Sequence, residues 1–349
     1  MKRRVTRKEI AERAGVSVAT VDRVLNRRAA VRKATAACVQ SAAEALGHKR
    51  IAPINSDFVR TARPLRCGFL LQRKEYPFYQ HLADELEKIP HDDGSLIAQL
   101  TIEFMDDYLE PSKVADKMCS MGGLVDAVAV VATESPYISE AIDILVEQQT
   151  SVVALLTDLS APKVVGYVGI DNRMAGRTAA WAIAQRGRAG RVGVLIGSHG
   201  YLCQEDREIG FRSYFREKAP DFEVLEPAVT RDDPAIAYEQ TLQMLQVGSD
   251  SLVGIYSVGG GRSGTIRALE ESRLSPKPAY ICHHITKVTR SGLTSGTIDV
   301  VLDQDVTQLA RSALKMLIET KTAAPSKKES VILPFTICTS ENISAVIIH

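Results

Sequence analysis

Residues Val5 to Asn26 read VTRKEIAERAGVSVATVDRVLN, two short helical patterns meeting at a glycine turn. Thr6 stands three residues before Glu9, the spacing of a capping box, and Ile10 and Ala14 fall on one face of the helix that follows. Gly15 supplies the positive φ that ends that helix. Ser17 is placed to cap the next one, and Val21, Val24 and Leu25 give it an apolar side. This is the outline of a helix-turn-helix, whose second helix enters the major groove of double-stranded DNA while nearby hydroxyls and cations hold phosphate. An ordinary helical hairpin has the same outline, so charge must separate the two.

Residues 1–66 hold 16 Lys and Arg against 5 Asp and Glu, and the remaining 283 hold 27 against 37. The overall net of +1 therefore hides a head of +11 on a body of −10. Such a head is drawn to polyphosphate, and such a body is kept off it. Beyond the turn, Val31 to Leu46 forms a third helical pattern with Val39, Ala42, Ala43 and Leu46 on one side, stopped at Gly47. Residues 1–47 thus read as a small all-α head. His48 to Arg66, with Pro53, Pro64 and five Lys or Arg, reads as a linker over 48–66.

From residue 67 to 349 short apolar runs alternate with helical patterns, the runs beginning at Cys67, Leu96, Ala127, Ser151, Arg191, Phe222, Leu252, Ala279 and Thr297. That order implies α/β architecture with parallel sheets covered on both faces. Nine runs fit two lobes better than one sheet. The first lobe is expected to end near residue 160, and the last stretch, Val331 to Ile348, to cross back. Ligands of such sheets sit beyond the carboxyl ends of the strands, here in a cleft shared by both lobes.

With 45% hydrophobic and 24% charged residues the composition is that of an ordinary globular chain. No apolar stretch is long enough to span a membrane, and the basic start MKRRVTRKEI leads into no apolar segment, so a cytoplasmic location is expected. The six cysteines (Cys38, Cys67, Cys119, Cys203, Cys282, Cys338) are scattered singly, which favours buried thiols over disulfides or a metal site. The loop SVGGGRSG (257–264) is the basis of an alternative, a doubly wound nucleotide- or sugar-processing enzyme. It lacks the Lys-Ser/Thr ending of a phosphate loop, and no catalytic triad order or metal cluster supports it. Neither enzymatic activity nor a cofactor is expected.

The stretch EIAERAGVSVATVDRVLN resembles the head of the LacI/GalR family of bacterial transcription regulators. Residues 67–349 are similar to the periplasmic sugar-binding proteins, ribose-binding protein among them, as that family's ligand domains are. The resemblance covers nearly the whole chain. It implies a sequence-specific DNA-binding regulator, a repressor, acting as a homodimer on a palindromic operator under control of a small effector such as a sugar, cyclitol or related polyol. A transport binding protein would leave the +11 head without a task.

Carried over residue by residue, the resemblance makes Val18 and Ala19 base readers, with Arg23 one turn further on. Thr6, Ser17 and Thr20 become phosphate-side hydroxyls and Asn26 a helix-end contact. Asp22 departs from the usual serine; an acid there repels phosphate and is better suited to orienting a neighbouring arginine. In the linker the family's wedge leucine is replaced by Asp57, leaving either Phe58 or Val59 as a wedge or a basic tether with none. For the cleft it implies Tyr76, Phe78 and Tyr79 as walls against a sugar's C–H face, or alternatively as core at a helix start. Glu134 is an acidic ligand for hydroxyls or a solvated loop residue. Asp171 is a ligand contact or a helix cap. Arg207, in EDREIGF, reaches the sugar from a helix start. Ser257 and Arg262 are polar candidates from the glycine loop, and Gln304 ends the last strand as a sugar contact. His284 replaces an aspartate of the sugar binders, so the effector need not be ribose; His283 and His284 point to opposite faces and make no metal pair.

Overall fold

The computed structural model describes residues 6–18, 20–22, 35, 39, 42–43, 65–89, 97–106, 109–247, 252–272, 274–322 and 327–343. The chain forms two compact units, Met1–Ala62 and Arg63–His349.

In the first unit, helix α1 (Arg7–Ala14) opens on the expected capping box. Thr6 N and Oγ1 donate to Glu9 Oε2 at 2.8 and 3.0 Å, and Glu9 N donates to Thr6 Oγ1 at 3.4 Å. Gly15 closes the helix at φ 65°, its N–H returning to the Ala11 carbonyl. Residues 18 and 20–22 are helical, and the N–H of Thr20 donates to Ser17 Oγ at 3.1 Å, so Ser17 caps the second helix. Ile10, Ala11, Val21, Val39, Ala42 and Ala43 bury together as a small core. Most of the stretch expected to form a third helix, and residues 48–64 of the expected linker, lie outside the described residues, as do Asp57, Phe58 and Val59.

The second unit contains two sheets. The strands are β1 (Leu65–Leu71), β2 (Ile97–Phe104), β3 (Ala127–Val130), β4 (Ser151–Leu155), β5 (Gly166–Ile170), β6 (Arg191–Ile196), β7 (Glu223–Val224), β8 (Ala228–Val229), β9 (Leu252–Ser257), β10 (Ala279–His283), β11 (Val300–Gln304), β12 (Glu329–Leu333) and β13 (Phe335–Cys338). The helices are α2 (Pro77–Lys88), α3 (Pro111–Met121), α4 (Pro136–Glu147), α5 (Asn172–Ala184), α6 (Leu202–Lys218), α7 (Pro234–Val247), α8 (Arg262–Ser272), α9 (Lys287–Thr294) and α10 (Val306–Thr322). The first sheet runs β12-β5-β4-β3-β1-β2 and the second β13-β11-β10-β9-β6-β7, with β8 also on β6. Central strands such as AVAV and GYVGI are buried at every position, as strands covered on both faces must be.

The chain passes between lobes three times: after Ile170, between Gln304 and Val306, and at Pro334. The first lobe therefore reaches residue 170 rather than 160, and it also takes back α10, which packs on α2 and β3 to β5, and then β12. Pro334, which has no N–H to donate, separates β12 from β13. The returning stretch is thus two strands, one in each sheet. β13 runs antiparallel to β11, with Val301 opposite Cys338, so the second sheet is not purely parallel. The run at Phe222–Val229 breaks at Pro227 into β7 and β8. Among the described residues no helix is long and apolar enough to cross a membrane, and Cys67, Cys119, Cys203, Cys282 and Cys338 are free thiols.

Candidate functional site

Two surfaces concentrate the residues singled out above. In the head, Ser17 and Val18 are exposed at the start of the second helix, Val18 at 46%, and the Ser17 and Thr20 hydroxyls share one hydrogen at 2.9 Å, leaving one proton to give away. Thr6 is different: both of its donors go to Glu9, so the hydroxyl expected on the phosphate side is taken up by the helix cap. Asp22 pairs with Arg7 at 2.7 Å, binding the start of the first helix to the second. Ala19, Arg23 and Asn26 lie outside the described residues.

In the second unit a cavity of about 410 Å³ lies between the lobes, beyond the carboxyl ends of their strands. Tyr76, Phe78, Tyr79, Arg207, Arg262 and His284 all line it. Tyr76 and Phe78 come from the start of α2, where Pro77 fixes the first turn. The lobes meet around the cavity. The Phe78 ring lies 4.1 Å from that of His284, Tyr76 Oη reaches the Asp232 carbonyl at 3.5 Å, Glu134 N donates to the Gly200 carbonyl at 2.7 Å and Cys203 N to Thr157 Oγ1 at 3.2 Å. Leu156, Asp232 and His284, all lining residues, have φ of 64°, 53° and 64°, the left-handed region that side-chain-bearing residues enter only where surroundings hold them.

Arg207 is 6% exposed and sits one turn into α6. Its Nε donates to Asn172 Oδ1 at 2.9 Å and Nη1 to the Val258 carbonyl at 2.7 Å, which aims the planar group at the cavity. Asn172 in turn donates to Tyr167 Oη at 3.2 Å. His284 is held neutral: burial, followed by the charges of Arg262 and Arg207, puts its pKa well below the usual 6.5. Its Nδ1 is buried without a hydrogen-bond partner among the described residues. Burial likewise pushes the Tyr79 hydroxyl and the Cys203 thiol upward, so neither supplies an anion.

Four expected contacts sit elsewhere. Glu134 accepts from Ser160 N and Oγ at 2.6 and 2.7 Å, tying two loops of the first lobe instead of facing the cavity. Asp171 caps α5, accepting from Met174 N at 2.8 Å. Ser257 is fully buried in β9, 3.0 Å from Tyr280 Oη. Gln304 lines not this cavity but a neighbouring hollow of about 830 Å³ that shares Pro77 and Phe78, and both polar atoms of its amide are buried without partners among the described residues.

Among the lining residues that sequence reading missed, such as Gln72, Gln204 and Thr286, Asp232 is the buried acid. It is buried where β8 gives way to α7, its carboxylate taking the N–H of Gly260 and a hydrogen bond from Gln204. Burial raises its pKa, and the Gly260 N–H followed by the charge of Arg262 offsets part of that. Glycine is required around it: a Cβ on Gly197 would stand 2.0 Å, and one on Gly259 2.5 Å, from Oδ1. The glycines of SVGGGRSG thus cradle a carboxylate of the chain itself. The neighbouring Asp233 has the ordinary task of capping α7, accepting from Ala235 and Ile236 N at 2.7 and 3.0 Å. Among the described residues no three His, Cys, Asp or Glu side chains are grouped to hold a metal.

Residues 6–50 match the family model of bacterial regulatory proteins of the lacI family, and residues 102–322 match that of the periplasmic binding protein domain. No curated protein matches. Similar solved structures include a transporter solute-binding protein of Agrobacterium vitis with bound D-fucose, at 17% identity over 80% of this chain and 96% of that one, TM-score 0.70. A carbohydrate-transporter solute-binding protein of Agrobacterium radiobacter in complex with D-arabinose is 16% identical over 81% and 97%, TM-score 0.71. The glucose-galactose binding protein GanP of Geobacillus stearothermophilus is 18% identical over 80% and 99%, TM-score 0.70. At these identities the likeness is one of fold.

Proposed function

The chain belongs to the lacI family of bacterial regulatory proteins and carries a periplasmic binding protein domain, and from that premise we propose that it is a repressor whose grip on DNA is set by a small polyol in the interlobe cleft. The observation that carries this reading is the cleft itself: apolar rings at Tyr76 and Phe78 facing the buried guanidinium of Arg207 across a monosaccharide-sized space. Rings cover the C–H face of a sugar, and a fixed guanidinium with a donor to spare reads its oxygens. The solved relatives holding D-fucose and D-arabinose support a ligand of that size.

The head is the output. As a homodimer the protein would place one second helix in each half of a palindrome, with Val18 and Ala19 meeting base edges, Ser17, Thr20 and Arg7 meeting phosphate, and Arg23 following in the groove. Regulation needs an effector that prefers one lobe arrangement. Tyr76 to Asp232 and Phe78 to His284 bridge the lobes, and a ligand touching both sides of these pairs favours the closed form, shifting the population that binds the operator.

Two measurements test the reading. Retention on duplex DNA should fall about a thousandfold or more between 50 and 200 mM salt if six to ten phosphates are contacted. A thermal-shift screen of sugars, cyclitols and sugar acids should find a ligand that stabilises the chain, by about 2.7 kcal/mol at a hundred times its dissociation constant. Weak, salt-independent DNA binding, or a melt that no polyol moves, overturns it.

A further inference from the structure

We propose that the effector carries a single negative charge: a polyhydroxy monocarboxylate, a sugar acid rather than a neutral sugar. The inference rests on the reading of the cleft as the effector site and adds the ligand's charge to it.

Among the described residues five charged side chains line the cavity: Arg73, Glu75, Arg207, Asp232 and Arg262. Arg73 and Glu75 stand 3.5 Å apart at the exposed rim and offset one another. What remains is two guanidiniums and one carboxylate. Among the described residues Arg207, almost wholly buried, has neutral partners only, Asn172 Oδ1 and the Val258 carbonyl. Arg262 donates from Nη1 to the Gly259 carbonyl at 3.1 Å. Among the described residues neither has a carboxylate within ion-pair distance. Asp232 lies close enough for the charges of Arg262 and Arg207 both to be felt, but its carboxylate is taken up in the glycine cradle by Gly260 and Gln204 and forms an ion pair with neither. Two guanidiniums sharing one carboxylate leave a positive charge uncompensated in a largely buried place, which is costly, and the group that best completes it is a second carboxylate, which the planar fork meets with two parallel hydrogen bonds.

Two further features agree. Helices α2, α6, α7, α8 and α9 all begin at this cavity, through Phe78, Cys203 and Gln204, Pro234, Arg262 and Ser263, and Val288, so the positive ends of five helix dipoles lie beside it. The Tyr76 and Phe78 rings supply the apolar face that a polyol chain needs. An excess of one positive charge suits a monocarboxylate; a phosphate monoester, with a charge near −2, would overfill it.

The test is calorimetric titration of the full chain, at matched ionic strength, with D-galactose, D-galactonate and D-galactose 6-phosphate and with D-arabinose, D-arabinonate and D-arabinose 5-phosphate. In at least one series the acid is expected to bind about tenfold or more tightly than its parent sugar, the range of a charge-assisted hydrogen bond. Arg262→Gln, checked for an unchanged melting temperature, should weaken the acid about tenfold more than the neutral sugar. The proposal is overturned if no acid outbinds its parent, if a phosphate ester binds tightest, if nothing in either series binds, or if the preference for acid survives Arg262→Gln. The underlying reading fails separately. A neutral sugar that binds best and alters operator affinity leaves the regulator standing and removes the charge, whereas an acid that binds best yet leaves operator affinity unmoved does the reverse.

Discussion

Asp232 and Gly259 compete for one space: a Cβ on Gly259 would lie 2.5 Å from Oδ1 of Asp232 and 2.7 Å from the Gln204 amide oxygen. Gly259→Ala is therefore expected to destabilise the chain by about 1–3 kcal/mol and to weaken effector binding, because the carboxylate must leave its seat. In an Asp232→Ala background the same substitution should cost markedly less. A double-mutant cycle by urea unfolding measures this, and strictly additive costs would show that the two residues do not share the space.

In the head, the pairing of Arg7 with Asp22 accounts for an acid at a place where an acid should repel DNA. Arg7→Ala is expected to weaken binding by a similar factor on every duplex and to lower the salt slope by about one unit, the signature of a lost phosphate contact. Gel-shift titrations across salt concentrations decide it. A change confined to one base position would make Arg7 a base reader instead.

Close helix packing is what places Arg207. A Cβ on Gly176 in α5 would stand 1.9 Å from the backbone oxygen of Arg207 in α6, and one on Gly210 would stand 2.1 Å from that of Arg173. Backbone cannot step aside as a flexible side chain can. Gly176→Ala is expected to cost about 3 kcal/mol, the upper end for an overpacked core, and to impair effector binding even where the protein stays folded. Urea midpoints with and without ligand read both effects.

His283 and His284 are kept neutral by burial, with pKa values well below the usual 6.5. The unfolded chain takes up protons near pH 6.5 that the folded chain refuses, so stability is full above that pH and declines below it, by at most about 1.4 kcal/mol per pH unit for each histidine. Unfolding midpoints should therefore fall as the pH is lowered through 6.5. His284→Asn, a residue that tolerates the φ of 64° there, should flatten the dependence.

The fold was largely legible because apolar runs and helical periods are local signals. β5 escaped because two of the five residues of GYVGI are glycines, which weaken a strand pattern. α9 escaped because KVTRSGLT is poor in helix formers and is started instead by the Thr286–Thr289 capping box. The path of α10 was hidden for another reason: its sequence says that it is a helix, not which lobe covers it.

The cleft was legible where the first turns of a helix after a strand place side chains at its lining, as with Tyr76, Phe78 and Arg207. It was misleading where capping or loop bonding satisfied the same residue, as with Asp171 and Glu134. Asp232 left one trace, an Asp-Asp pair after a strand and ahead of Pro234. Which of the two turns inward depends on glycines at 197, 259 and 260, and only the folded chain brings these together.

Coupling between cleft and head is decided by measuring affinity for a palindromic operator, selected by the full chain from random duplexes, with and without a ligand that raises the melting temperature. Linkage requires the ligand to change operator affinity by the same factor as the operator changes ligand affinity, and Arg207→Ala should abolish the change while leaving the unliganded chain on DNA. Equal operator affinity with and without saturating ligand would contradict the account.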